Sequence, residues 1–169
     1  MGRLKAIYKT ESVPMRIFEL SQAIMAARQN DYVEYILTSH DDYAFRVHVE
    51  TSNEDKKGVV CLWIEVWLYL LLEGDVDIDQ LERRIQLLRW LKDRGYWMGN
   101  TFEGVAECQI TIAEAIDYSS ASGIVSIEKV LKQEYKAVMK KIKETGRKKS
   151  TAMKSSIPKE SPEEAERKV

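Results

Sequence analysis

Residues Val59–Leu72 read VVCLWIEVWLYLLL, a run of 14 residues broken by a single charge at Glu65. As a helix the run would span about 21 Å at about 1.5 Å per residue. A bilayer core needs roughly 30 Å of apolar helix, so no membrane span is expected. Gly58 precedes the run, and β-branched and aromatic residues fill it, which favours a strand. In a strand, Val60, Leu62, Ile64, Val66 and Leu68 point to the core. Cys61, Trp63, Glu65, Trp67 and Tyr69 then point to the other face. The end of the run, Leu70–Leu72, is also compatible with helix.

A strand this apolar needs neighbours, and the flanking sequence supplies them. Upstream, Tyr43–Thr51 alternates: Tyr43, Phe45, Val47 and Val49 on one side, Ala44, Arg46, His48 and Glu50 on the other. That pattern predicts a half-solvated antiparallel strand, with His48 on its wet side. Tyr32–Thr38 is another strand, and Ser39–Asp42 is the turn between them. Before it, Pro14–Gln29 predicts a helix with Ser12 as cap, its apolar face on Ile17, Leu20, Ile24 and Ala27, widened by Phe18 and Met25. Residues 3–9 suggest a short leading strand.

Downstream, Asp77 and Gln80 form a capping-box pair with Val76 and Leu81 as the hydrophobic staple. Gly95 and Tyr96 fit a left-handed C-terminal stop, so a helix is predicted over 78–94 with Ile78, Leu81, Ile85, Leu88 and Leu91 buried. Tyr96–Met98 reads as a short strand, Gly99-Asn100 as a turn, and Val105–Ala113 as a strand. After a loop at 117–123, a last helix is predicted to start after Ser126 and to stop at Gly146, with Ile127, Leu131, Tyr135, Val138 and Ile142 inward. The fold class is α+β: an antiparallel sheet of about five strands with helices mainly on one face, in the order α-β-β-β-α-β-β-α. Residues 1–145 form a single domain, and 146–169 read as a disordered charged tail.

This order of elements, over about residues 14–144, resembles the type III secretion chaperone fold and the related YbjN-like proteins. The resemblance implies a protein that binds a partner protein, usually as a dimer. Neither the aromatic strand face nor a basic last helix is required by it.

The chain has 169 residues, 44% hydrophobic and 31% charged, which fits one ordinary soluble domain. The N-terminus has no apolar run of secretory type, and Ala6 occupies the position where a myristoylation signal wants Ser or Thr. Cys61 and Cys108 are far apart in apolar runs and read as free thiols of a cytoplasmic protein. The net charge of −1 is a cancellation. Residues 1–125 hold 13 basic and 20 acidic side chains, whereas 126–154 hold 10 and 3, and 155–169 hold 3 and 4.

Familiar chemistries are missing from the sequence. The eight glycines are scattered, so no phosphate loop is expected. The two cysteines and two histidines are not paired by spacing, so no metal site is expected. Asp75, Asp77 and Asp79 resemble the start of a calcium loop, but Gln80 and Gln86 stand where Gly and Glu are needed. His40 reads as a turn residue beside Asp41 and Asp42, and His48 as a solvated strand residue. No catalytic residues and no cofactor are expected. The expected function is a non-enzymatic protein-binding or chaperone-like module, dimeric or holding a protein client, with Trp63, Trp67 and Tyr69 as the partner surface. The alternative is a nucleic-acid-associated protein. It would use the stripe Lys129, Lys132, Lys136, Lys140 and Lys143, extended by Arg147, Lys148 and Lys149. No membrane partner is expected.

Overall fold

Alternation along the strands places one apolar row per strand on a shared face, and that face builds the core. The computed structural model describes residues 9–51, 60–70, 74–75, 77–101 and 103–156. Its strands are β1 (Lys9–Ser12), β2 (Tyr32–Ser39), β3 (Tyr43–Thr51), β4 (Val60–Tyr69), β5 (Trp97–Asn100) and β6 (Val105–Ala113). Its α-helices are α1 (Leu20–Asn30), α2 (Ile78–Asp93) and α3 (Ala121–Ser156). The six strands form one sheet in the order β1-β2-β3-β4-β6-β5. β1 runs parallel to β2, and every other pair is antiparallel. The protein is therefore α+β, as expected, with six strands among the described residues.

The inward rows predicted for β3 and β4 are the rows observed. Phe45, Val47, Val49, Leu62, Ile64, Val66 and Leu68 are buried together with Leu20, Ile24, Leu91, Leu131 and Val138 from the helices. All three helices thus pack on one face of the sheet.

Several boundaries differ from the sequence reading. The predicted helix 14–29 is a 3-10 turn at Met15–Ile17 followed by α1. Phe18 takes an extended conformation between them and packs its ring edge-on against Tyr35 at 5.4 Å. The break swings Ile17 to the surface, and Met25 is exposed as well. The leading strand lies at Lys9–Ser12, and residues 3–8 fall outside the described residues. Gly99 and Asn100 belong to β5 rather than to a turn.

In α2 the caps are as predicted. Asp77 accepts a hydrogen bond from Gln80 N at 3.1 Å, and Tyr96 N donates to the Leu91 carbonyl at 3.1 Å past Gly95, whose φ is +104°. The buried stripe is rotated, however. Arg84, Leu87 and Leu91 are inward, while Ile78 and Ile85 are exposed. Arg84 is drawn in by an ion pair with Asp42 at 2.7 Å.

Helix α3 starts earlier and ends later than predicted. Ser120 caps it, its Oγ accepting from Gly123 N at 3.1 Å. The helix passes Gly146 without stopping and reaches Ser156, so the first part of the predicted disordered tail is helical. Residues 157–169 lie outside the described residues. This helix ties the layers together. Tyr135 packs edge-on to Phe45 at 4.9 Å and shares a 2.5 Å hydrogen bond with Thr38. Glu134 accepts from Arg94 Nη2 at 2.6 Å and from Tyr96 OH at 2.8 Å. Among the described residues, no helix is long and apolar enough to cross a membrane.

Candidate functional site

The second face of the sheet carries no described helix. Strand alternation and register decide what stands on it. In β3 and β4, Arg46 pairs with Glu65, His48 with Trp63 and Ala44 with Trp67. On the far side of β4, Glu65 pairs with Gln109, Trp67 with Glu107 and Tyr69 with Val105, and Trp97 of β5 pairs with Gln109. Trp63, Trp67 and Tyr69 therefore do share this open face, and each is half-buried. Trp97 joins them from the edge strand with 62% of its surface exposed.

What half-covers the tryptophans is a polar network lying flat among them. The His48 ring stacks on Trp63 at 4.9 Å and 3°. The Arg46 guanidinium lies 3.8 Å from the centre of the Trp67 ring, a cation–π contact. His48 Nε2 is 2.9 Å from Glu65 Oε1, and Gln109 Nε2 donates to Glu65 Oε2 at 2.8 Å. Tyr32 hydrogen-bonds His48 Nδ1, and Arg46 pairs with Glu34. His48 and Glu65 are each only 6% exposed. The expectation that His48 is a solvated strand residue is thus corrected: it is on the polar side, but its neighbours bury it. Sequence alternation had placed His48 and Glu65 on matching faces, yet only the register brings them into contact.

Burial alone would raise the Glu65 pKa. Hydrogen bonds from His48 and Gln109, together with the charge of His48, outweigh it and hold the carboxyl below its ordinary value. The Trp67 indole N–H lies near enough to Glu65 to favour its charge, yet falls short of hydrogen-bond geometry. Glu107 is pushed the other way, by burial and then by the negative charge of Glu65. Two buried donors on this face, Arg46 Nε and Trp67 Nε1, have no hydrogen-bond partner among the described residues.

Glu34, His48 and Glu65 offer three potential metal-ligand atoms within 4.8 Å of one another. Each of these residues is already engaged, Glu34 by Arg46 and His48 by both Tyr32 and Glu65. A cation would have to displace those contacts. The set reads as a self-satisfied polar network, and it is the part of the site that sequence reasoning missed.

No family model matches the chain, and neither a curated protein nor a solved structure matches it.

The second predicted site lies on α3, on the helical side of the molecule. Lys129, Lys136, Lys140 and Lys143 are exposed and Lys132 is half-exposed. Lys132 Nζ lies 3.5 Å from Glu128, one turn back. Arg147, Lys148 and Lys149 fall within the same continuous helix. The other sequence candidates are structural. His40 is exposed beside the Tyr43 ring at 4.9 Å, and Asp77 serves the α2 cap.

Proposed function

We propose that this protein is a non-enzymatic protein-binding module that works as a homodimer, with the helix-free sheet face as its contact surface. One observation carries the reading. All three helices lie on one side of the sheet, which leaves Trp63, Trp67, Tyr69 and Trp97 together on the other. Tryptophan and tyrosine are the residues that most often anchor protein interfaces. Stacking on His48 and Arg46 fixes the rings before any partner arrives, which reduces the ordering cost of binding.

Size supports a second copy as the occupant. Six strands about 4.8 Å apart, four of them 8–10 residues long and two of only 4, present on the order of 700 Å² at about 3.3 Å per residue. A stable interface buries about 800 Å² per partner. A protein client held on the same face is the chaperone-like form of this reading, in line with the resemblance of element order. A cytoplasmic setting belongs to the same proposal. It is supported by the free thiols Cys61 and Cys108, the latter pushed up to about 12 by burial.

Sedimentation equilibrium at tens of micromolar protein tests the proposal. The expected result is a dimer whose dissociation constant rises at least tenfold in Trp97→Ala, a loss of about 1.4 kcal/mol. Trp97 is exposed on an edge strand, so the fold tolerates the change. A monomer at all concentrations, or a dimer indifferent to Trp97→Ala, overturns the proposal.

A further inference from the structure

We propose that the solvent-facing stripe of α3 binds double-stranded nucleic acid through its phosphates, without reading sequence. This surface is separate from the open sheet face and does not depend on it.

The stripe is continuous, and one of its five lysines, Lys132, is paired with an acid, Glu128 at 3.5 Å. Lys129, Lys132, Lys136, Lys140 and Lys143 recur at spacings of 3 or 4 residues on an unbroken helix. At about 1.5 Å per residue they cover roughly 21 Å. The helix backbone runs on to Ser156, and Arg147 follows Lys143 by four residues, in register with the stripe. Residues 126–154 contain only three acids, Glu128, Glu134 and Glu144. Glu134 is turned inward to Arg94 and Tyr96, and Glu128 accepts a bond from Leu20 N of α1 at 3.4 Å. Glu134 is thus committed towards the body of the protein, while Glu128 is shared between Leu20 N and Lys132 and Glu144 is exposed, so the lysines outnumber the acids on the outer face.

The neighbouring side chains select the occupant. A membrane-surface helix must bury its apolar face in lipid, but Leu131 and Val138 are already fully buried in the core, with Ile127, Tyr135 and Ile142 packed beside them. A protein partner needs aromatic or aliphatic anchors at the centre of its contact, and the stripe residues are all lysines. A single strand is usually held by bases stacked on aromatic rings, which the stripe does not offer. Evenly spaced point charges on a straight rod suit the evenly spaced phosphates of a duplex. Lysine binds phosphate as a point charge, whereas direct readout of bases favours bidentate geometry.

The test is fluorescence anisotropy of the full chain with a labelled mixed-sequence duplex, titrated between about 50 and 200 mM salt. Five phosphate contacts predict a slope of log K against log salt of about −4.5. Lys140→Gln reduces that slope by about 0.9. Lys141→Gln, one residue on and turned about 100° away, leaves it unchanged. The triple variant Lys136→Gln/Lys140→Gln/Lys143→Gln abolishes binding at the higher salt while circular dichroism shows the helix intact. Four outcomes overturn the proposal: no binding at low salt, a flat salt dependence, equal effects of the Lys140 and Lys141 variants, or tighter binding of polyglutamate or single strands than of the duplex.

Discussion

Glu65 sits in the middle of the most apolar strand quoted above, between Ile64 and Val66. In the fold it is the hub of the open face, bound by His48 on one side and Gln109 on the other. Glu65→Leu strands both partners, and the cost is about 1–3 kcal/mol for a buried group left unpaired. Glu65→Gln keeps hydrogen-bonding capacity at the same place and costs less. The pH profile separates charge from shape. The folded pKa of Glu65 is below its unfolded value, so its contribution is fully present above the ordinary carboxylate range. It is lost as pH falls through the depressed folded value. Urea midpoints measured against pH are expected to lose part of their acid limb in Glu65→Gln, with the part due to Glu134 remaining, since that carboxyl is also held low despite its burial, by Arg94 and Tyr96. An acid limb identical to that of the parent protein rules out the role assigned to Glu65. Much of this site was legible in the sequence, because alternation alone assigns Trp63, Glu65, Trp67, Arg46 and His48 to one face of their strands. Contact was not legible. Whether His48 lies opposite Trp63 or one pair away depends on a register that the chain's local pattern does not contain.

At the scale of elements, two glycines that look alike in sequence have opposite roles. Gly95 follows α2 with φ +104° and opens the chain for the Tyr96 N–H to reach Leu91. Nothing crowds a Cβ there beyond ordinary contact with Ile110 at 3.8 Å, so the cost of Gly95→Ala is backbone strain, about 1–2 kcal/mol. Gly146 was expected to end α3 in the same manner, yet α3 continues past it. Within a helix, Gly is about 0.8–1.0 kcal/mol worse than Ala. Gly146→Ala is therefore expected to raise helix content and thermal stability, the reverse of Gly95→Ala. Circular dichroism and melting of both variants check the pair, and a fall in both disproves the continuous helix. The caps of α2 were readable because Asp77, Gln80 and Gly95 act locally. The buried side of α2 was not, because it is set by long-range packing, in which Arg84 turns inward and meets Asp42, and the local pattern does not contain that contact. The break before α1 was hidden for a similar reason: Phe18 leaves the helical path to meet Tyr35 across the core.

At the scale of the whole molecule, a net charge of −1 conceals two surfaces with different physics. The open face is aromatic, with Arg46 paired to Glu34 and His48 to Glu65 in its network, so association through it should depend weakly on salt. The α3 stripe lies on the helical side and should act almost wholly through salt-sensitive phosphate contacts. In the proposed dimer the two open faces meet, which puts both helical layers on the outside. The two stripes then point away from each other, and one straight duplex engages one stripe at a time. Losing the dimer should therefore leave the binding slope alone. Trp97→Ala is expected to weaken self-association while log K against log salt keeps its slope of about −4.5, set by five lysines of one helix. The measurement is the anisotropy titration repeated on this variant at concentrations where sedimentation finds it monomeric. If the slope falls by half, the stripes of two protomers share one duplex, and face-to-face pairing of the sheets is the wrong geometry for the dimer.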